Sequence, residues 1–142
     1  METHPFRLKP GQDLKAEIDA LTLREKWSAA CILSAVGSLT QAAIRFADQE
    51  EVSILNGHFE ILSLSGTLSP GGSHLHISIA DGKGKVTGGH LKEGSEIYTT
   101  AEVVIGILHD WEFSRQLCEQ SNYLELVAEK RRSLSTPPSK QD

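Results

Sequence analysis

Apolar residues recur along this chain with two different periods, which predict one helix followed by many strands. Leu14, Ile18 and Leu21 recur at helical spacing, and this pattern ends near Trp27. Asp13 stands where it can cap the first turn of the helix. Up to about residue 127, the rest of the chain consists of short apolar or alternating runs between turn residues, which is typical of strands. The predicted fold class is α+β, a single domain with a central, mainly antiparallel sheet and few helices.

Nine runs are predicted to be strands. They cover residues 29–36, 42–46, 52–55, 58–67, 73–80, 85–91, 97–108, 111–117 and 123–127. Gly37 is expected to end the first of them. The spacing of Trp111, Phe113 and Leu117 leaves a short helix as the alternative for the eighth run. From Ser133 onward the chain is polar and contains proline, which predicts disorder.

Composition and charge limit the classes of function. The 142 residues, 39% of them hydrophobic, suffice for one domain with a substantial core, and no run approaches the roughly 18 apolar residues of a membrane span. The net charge of −5 does not favour nucleic acid, whose phosphates are neutralised by lysine and arginine. The N-terminus lacks a signal-peptide pattern and the two cysteines, Cys31 and Cys118, are far apart, so a cytoplasmic protein with reduced cysteines is expected.

Three of the six histidines lie within seventeen positions, from His74 to His90. His74 and His76 alternate with Leu75 and Ile77, and successive strand side chains point to opposite faces, so the two imidazoles share one face. Zinc binds neutral imidazole nitrogens, which makes these histidines candidate ligands together with His90. The alternative is that they are solvated side chains on the polar face of a strand. Surface or structural roles are expected for the remaining histidines, His4, His58 and His109.

The face on which His90 lies depends on the turn between the two strands that carry the histidines. A two-residue turn at Asp81-Gly82 makes His90 point away from the other two. A β-bulge at Gly88-Gly89 would reverse the facing and bring His90 to the same side. A three-residue turn would also do so, but it would cost the core contact of Val86. The residues leave these alternatives open.

Two carboxylates in apolar strand segments, Glu60 and Glu102, are candidate catalytic residues. An unpaired carboxylate among apolar neighbours is costly, so a function is plausible for each. Either one is a candidate metal ligand, partner of a metal-bound imidazole, or general base. The alternative is an outward-facing strand residue, for which Arg45 and Arg115 are candidate ion-pair partners. The chain has no phosphate-binding glycine motif and no Cys-x-x-Cys.

Several separate motifs, in the same order, resemble the plants and prokaryotes conserved (PPC) domain in its stand-alone bacterial form. They include Ser34-Ala35-Val36-Gly37-Ser38-Leu39, Gly57-His58-Phe59-Glu60-Ile61-Leu62, the block from His74 to Leu91, and Thr100-Ala101-Glu102-Val103-Val104. The resemblance implies a PPC domain over residues 6–128, with residues 129–142 as a disordered tail. It also implies a homotrimer. It assigns His74, His76 and His90 to the three-histidine metal site of the family, for zinc or another divalent ion.

The resemblance also carries an association with DNA. Plant members place this domain after AT-hook segments with an Arg-Gly-Arg-Pro core, which bind A/T-rich minor grooves. This chain contains no Arg-Gly-Arg-Pro. A DNA-binding or DNA-associated regulatory role is therefore an alternative that rests on the label inherited from the AT-hook relatives.

The expected fold is also similar to that of acetolactate decarboxylase, a metal enzyme whose zinc is held by histidines that include a His-x-His pair. This similarity implies another alternative, a metal-dependent lyase or hydrolase that acts on a small molecule, with Glu60 or Glu102 moving the proton. The leading expectation is a trimeric PPC-domain protein with a zinc-competent three-histidine site and no assigned substrate.

Overall fold

Six antiparallel strands form the main sheet in the computed structural model, which describes residues 1–131. In chain order the elements are β1 (Glu2–Leu8), α1 (Leu14–Arg24), β2 (Ala30–Arg45), β3 (Ser53–Leu68), β4 (His74–Ala80), β5 (Val86–Leu91), β6 (Glu96–Ile107), β7 (Trp111–Cys118) and β8 (Tyr123–Lys130). The sheet order is β1-β6-β2-β3-β4-β5, and β7 and β8 form a separate hairpin. The predicted fold class, a mostly antiparallel sheet with few helices, is confirmed.

The sheet closes partly on itself, because β5 pairs with β2 as well as with β4. In this short pairing Ile44 lies opposite Leu91, and Arg45 lies opposite His90. The four strands from β2 to β5 therefore form a ring. Their inward side chains make one core with the buried face of α1, which contributes Leu14, Ile18 and Leu21.

The strands β2 and β3 are each longer than the sequence pattern predicts. Residues 29–36 and 42–46 belong mostly to one strand, and residues 52–55 and 58–67 likewise. Gly37 does not end β2. A Cβ at this position would lie 2.1 Å from the carbonyl oxygen of Thr100 in β6, so the glycine permits a close approach of two backbones. The prediction that Gly37 ends the strand is therefore wrong: the glycine lies within β2 and allows β6 to pack closely against it.

The N-terminal part of the chain differs from its prediction at two points. The helix α1 ends at Arg24, three residues before the expected end, while Asp13 caps it as predicted by accepting the Ala16 N–H at 2.9 Å. The strand β1 was not predicted. It pairs with β6 alone, and an edge position of this kind tolerates Pro5.

The β7–β8 hairpin packs beside the main sheet through few polar contacts. The Phe113 N–H donates to the Ser28 carbonyl at 3.0 Å, and Arg131 Nη2 donates to Ser28 Oγ at 2.6 Å. The strand alternative for residues 111–117 is confirmed. Glu129 and Lys130, which were expected to open the tail, belong to β8 instead. The rest of the predicted tail, from residue 132, lies outside the described residues. None of the helical structure in residues 1–131 is long and apolar enough to span a membrane.

Candidate metal centre

The three histidines predicted as ligands lie together on one side of β4 and β5. The Nε2 atoms of His74 and His76 are 3.2 Å apart. The ring of His90 lies 4.9 Å from that of His74 and 5.6 Å from that of His76, measured between centroids. One nitrogen from each ring can be chosen so that all three atoms lie within 4.8 Å of one another. On the opposite side of β4, Leu75 and Ile77 are buried in the core, as the alternation predicts.

His90 reaches this side because the connection between β4 and β5 has five residues. Ala80 pairs with Val86, so His76 lies directly opposite His90 in a regular register. The predictions of a two-residue turn and of a bulge at Gly88-Gly89 are therefore wrong. The three-residue turn gives the observed facing and the observed exposure of Val86, but the actual connection is longer.

Asp81 builds the longer connection. Its Oδ1 accepts the backbone N–H of Lys83 at 2.8 Å and that of Lys85 at 2.9 Å. The backbone N–H of Asp81 also donates to the Lys85 carbonyl at 3.0 Å. A local aspartate turn of this type needs no tertiary contact. The side chain of Asp81 thus sets the register that places His90.

The start of β4 is attached to the helix by a polar network. Asp19 of α1 accepts the Ser73 N–H at 3.0 Å and an N–H of Lys15 at 2.6 Å. Lys15 Nζ also donates to Ser73 Oγ at 2.9 Å. Because Ser73 directly precedes His74, this network fixes the position from which the first imidazole projects.

A cleft of about 1020 Å³ opens beside the cluster, between the main sheet and the β7–β8 hairpin. His74 and His90 contribute to its wall, together with three cationic side chains, Arg45, Lys92 and Arg115. Three carboxylates, Asp48, Glu50 and Glu125, also line it. The cluster therefore faces a space that a small molecule can enter.

Burial and neighbouring charges lower the pKa of two of the imidazoles, those of His74 and His90. The pKa of His90 is lowered to about 4, mainly by burial and in addition by the charges of His74, Lys92 and Arg45. Burial also lowers the pKa of His74, with His76 and Arg115 acting in the same direction and Glu125 opposing them. A neutral imidazole is the form that binds a metal ion, so the lowered pKa values of His74 and His90 favour metal binding at neutral pH.

Glu60 and Glu102 do not belong to the cluster. Glu60 is exposed and pairs with Ala80, four residues along β4 from His76, a separation of about 13 Å at the rise of a strand. Glu102 is exposed on β6, opposite Val36 of β2 and Arg7 of β1. Among residues 1–131 neither forms an ion pair with Arg45 or Arg115. Within one chain neither glutamate lies beside the three histidines, and a catalytic role for Glu60 or Glu102 stays a prediction.

Glu125 is the carboxylate whose charge acts on the cluster, and the sequence pattern did not single it out. It lies in β8 between Leu124 and Leu126, and a single glutamate in a short strand is usually a solvated residue. The remaining histidines have the structural or surface roles expected of them. His4 packs against Trp27, His58 stacks on Tyr98, and His109 contacts Glu2.

The fold and the histidine cluster define a class of small antiparallel-sheet domains with three imidazoles on two paired strands, beside a cleft. Residues 1–109 match the Plants and Prokaryotes Conserved domain, abbreviated PCC or PPC. The chain belongs to this family, as the motif resemblance implies.

Among curated proteins, the chain is 48% identical over 141 residues to the "Bifunctional protein GlmU" of Synechococcus sp. (strain JA-3-3Ab), covering 99% of this chain and 22% of that protein. It is 33% identical over 98 residues to "AT-hook motif nuclear-localized protein 26" of Arabidopsis thaliana, covering 64% of this chain and 29% of that protein. The chain thus spans between a fifth and a third of the length of these relatives.

The fold is shared with several solved structures, three of which have 28% to 41% sequence identity to this chain. A hypothetical protein from Salmonella enterica superposes with a TM-score of 0.90 at 41% identity, covering 92% of this chain and 95% of that chain. A PPC protein from Pyrococcus horikoshii gives 0.74 at 28% identity, with 87% and 90% covered. A protein from Archaeoglobus fulgidus described as metal-containing gives 0.74 at 29% identity, with 89% and 94% covered.

Proposed function

We propose that His74, His76 and His90 bind a divalent metal ion, zinc in the first place. The convergence of one nitrogen from each imidazole within 4.8 Å carries the proposal. In a tetrahedral zinc site with bonds of about 2.0–2.1 Å, ligand nitrogens lie about 3.3 Å apart. The His74 and His76 nitrogens have this spacing already, at 3.2 Å, and a modest rotation of the His90 ring would complete it. The metal-containing relative from Archaeoglobus fulgidus supports the same proposal.

Three protein ligands leave a coordination position for a small molecule. Catalytic zinc sites typically have three protein ligands and an open fourth position, whereas structural sites have four. When bound, zinc supplies a Lewis acid that polarises an oxygen in that position. A metal-dependent lyase or hydrolase is therefore the enzyme class that the cleft favours, and Glu125 replaces Glu60 and Glu102 as the candidate for moving a proton.

Metal analysis of the purified protein tests the proposal. We expect about one zinc per chain, bound after gel filtration in metal-free buffer. Replacing His74 and His76 by alanine should abolish zinc binding and leave the fold intact by circular dichroism. His58→Ala is the matched control, because His58 stacks on Tyr98 and has no part in the cluster. Zinc retention by the double variant would contradict the proposal.

We also propose a homotrimer, for which the hairpin supplies the surface. Leu117, Tyr123 and Leu124 are 68%, 67% and 64% exposed. Contiguous exposed apolar side chains mark association surfaces, and a two-stranded hairpin gains little stability on its own. The family resemblance gives the number of subunits.

We also propose a cytoplasmic location, because Cys31 and Cys118 are free thiols.

DNA binding is the weaker candidate. The names of the plant relatives support it, but the AT-hook in those names has no counterpart here, since the chain contains no Arg-Gly-Arg-Pro. Two structures with a DNA-binding label are 16% and 18% identical and share the fold alone. Gel retardation of A/T-rich duplex at low salt decides the question, and we expect no retardation that depends steeply on salt.

A further inference from the structure

Arg45 occupies a defined place next to the histidine cluster. It lies directly opposite His90 in the pairing of β2 with β5, and directly opposed residues share a face with Cβ atoms about 4.5–5.5 Å apart. Across the ring of strands, His90 is in turn opposite His76. The guanidinium of Arg45 therefore borders the cluster on the β2 side, where it lines the cleft.

Arg115 borders the cluster on the other side. It extends from β7 of the hairpin, and its Nη2 donates to Thr67 Oγ1 at 3.1 Å. Thr67 lies directly opposite His74 in the pairing of β3 with β4. Two guanidinium groups from distant parts of the chain thus flank the three imidazoles. The positive charges of both reach the site, since each contributes to lowering the pKa of His74.

Neither guanidinium is neutralised by a side chain of the described residues. Arg45 donates one N–H, to the Gln49 carbonyl at 3.1 Å, and Arg115 donates to Thr67. No carboxylate of residues 1–131 lies within 4.0 Å of either one, although Glu125 and Asp48 line the same cleft. A guanidinium has five N–H donors in a planar fork that matches the oxygens of a carboxylate or phosphate. Each arginine keeps most of its donors for a ligand.

We propose that the cleft binds a small molecule through an oxyanion group, a carboxylate or a phosphate, which Arg45 and Arg115 hold beside the metal ion. The inference rests on the proposed metal site, and it adds the chemical class of the ligand. With a metal ion held by the three histidines, one oxygen of the ligand would be able to take the open coordination position, while the two arginines would balance the charge of its oxyanion group.

The carboxylates of the cleft limit the size of this ligand. Asp48, Glu50 and Glu125 lie on the same walls as the arginines, so an extended polyanion would meet like charges as well as opposite ones. The volume of about 1020 Å³ is that of a pocket for one small molecule. The mixed charge of the walls therefore favours a small anion with few charged groups over an extended polyanion.

Isothermal titration of the zinc-loaded protein tests the inference with three probes. Malonate represents the carboxylates, inorganic phosphate represents the phosphates, and malonamide is the neutral control. We expect one of the two anions to bind and malonamide not to bind. Arg45→Gln and Arg115→Gln should each weaken the anion at least tenfold, the size of a lost charge-assisted hydrogen bond. The better anion identifies the oxyanion type. Arg24→Gln, remote from the cleft, is the matched control and should change nothing.

Further variants separate the outcomes. Thr67→Val removes the hydrogen bond of Arg115 but keeps its charge, so it should weaken the anion less than Arg115→Gln does. If Arg115→Gln does not fold, the anion affinity of Arg45→Gln alone tests the proposed anion site. When cobalt replaces zinc, anion binding should change the visible absorption of the cobalt ion, because the anion is proposed to bind next to the metal. Unchanged anion affinity in Arg45→Gln, or an unchanged cobalt spectrum, overturns the inference while zinc binding stands. Failure to bind zinc instead overturns the proposed function.

Discussion

Among single residues, His90 links metal binding to stability. Its neutral form is the one that can bind a metal ion, and it is also the form that the folded protein favours. Burial, together with neighbouring positive charges, lowers its pKa from about 6.5 to about 4. Between these two values the unfolded chain binds a proton at this residue and the folded chain does not. By linkage, the free energy of unfolding rises with pH across this interval and falls as the pH decreases from about 6.5 to about 4.

The metal-free protein should therefore lose stability between pH 7 and pH 5 partly through His90. Urea denaturation at the two pH values measures the loss, and His90→Gln removes this residue's share because glutamine does not titrate. We expect the wild type to lose more stability than His90→Gln over the same step. An equal loss in both proteins would show that the protonation of His90 is not linked to folding.

Single residues also show what the sequence could predict about the site. The alternation around His74 and His76 defines their common face, because strand geometry is local. The position of His90 required the register, which Asp81 sets through a five-residue connection that the turn signals did not specify. Arg45 and Arg115 reach the cluster through contacts between segments that are distant in the sequence. The spacing of residues along the chain does not predict such contacts.

At the scale of elements, the histidine strand β4 depends on a close contact with β3. Gly66 has φ +146°, and a Cβ there would lie 1.9 Å from the carbonyl oxygen of His74. Any side chain at this position must push the two strands apart where the first imidazole begins. A similar close approach of backbone to Gly37 explains why β2 continues through a position where the sequence predicted its end.

Gly66→Ala should destabilise the protein by about 3 kcal/mol, through backbone strain and forced separation of the strands, and it should weaken zinc binding. Gly82→Ala is the matched control, because a Cβ at Gly82 has no neighbour within 4 Å. Its effect should stay within about 1 kcal/mol. Urea denaturation and zinc titration of both variants make the comparison, and equal effects would contradict the role given to Gly66.

The attachment of α1 to β4 gives a second prediction for the elements. Asp19→Ala leaves the Ser73 N–H and the Lys15 ammonium without their acceptor, which should cost about 1–3 kcal/mol. Because Ser73 precedes His74, zinc affinity should fall as well. Glu17→Ala on the same helix is the control, measured by the same denaturation and titration. A loss of stability with unchanged zinc affinity would limit Asp19 to a structural role.

For the whole molecule, the proposed trimer gives the clearest prediction. Leu124→Lys places a charge in the exposed apolar surface of the hairpin and should shift the protein toward monomers in size-exclusion chromatography with light scattering. Leu23→Lys changes an equally apolar residue that is 58% exposed on α1, and it should leave the assembly unchanged. A wild-type monomer would contradict the trimer directly.

The fold class of the whole molecule could be predicted from the sequence. A single core requires one apolar face on each strand, and the pattern of apolar residues shows these faces. The topology could not. Nothing in the runs indicates that β5 returns to β2 or that β1 lies at the far edge beside β6. These partners are chosen by packing of the complete chain and not by any segment alone.

Because β5 closes the ring of strands, the proposed metal site and the proposed anion site are expected to form at different times during folding. All three imidazoles belong to β4 and β5, which are joined by a short connection, so they can meet as soon as this local hairpin forms. The pairing of Arg45 with His90 requires the chain between β2 and β5 to close on itself, and contacts between distant residues form slowly because loop closure costs entropy. A folding chain would thus be able to capture a metal ion before it can distinguish one anion from another.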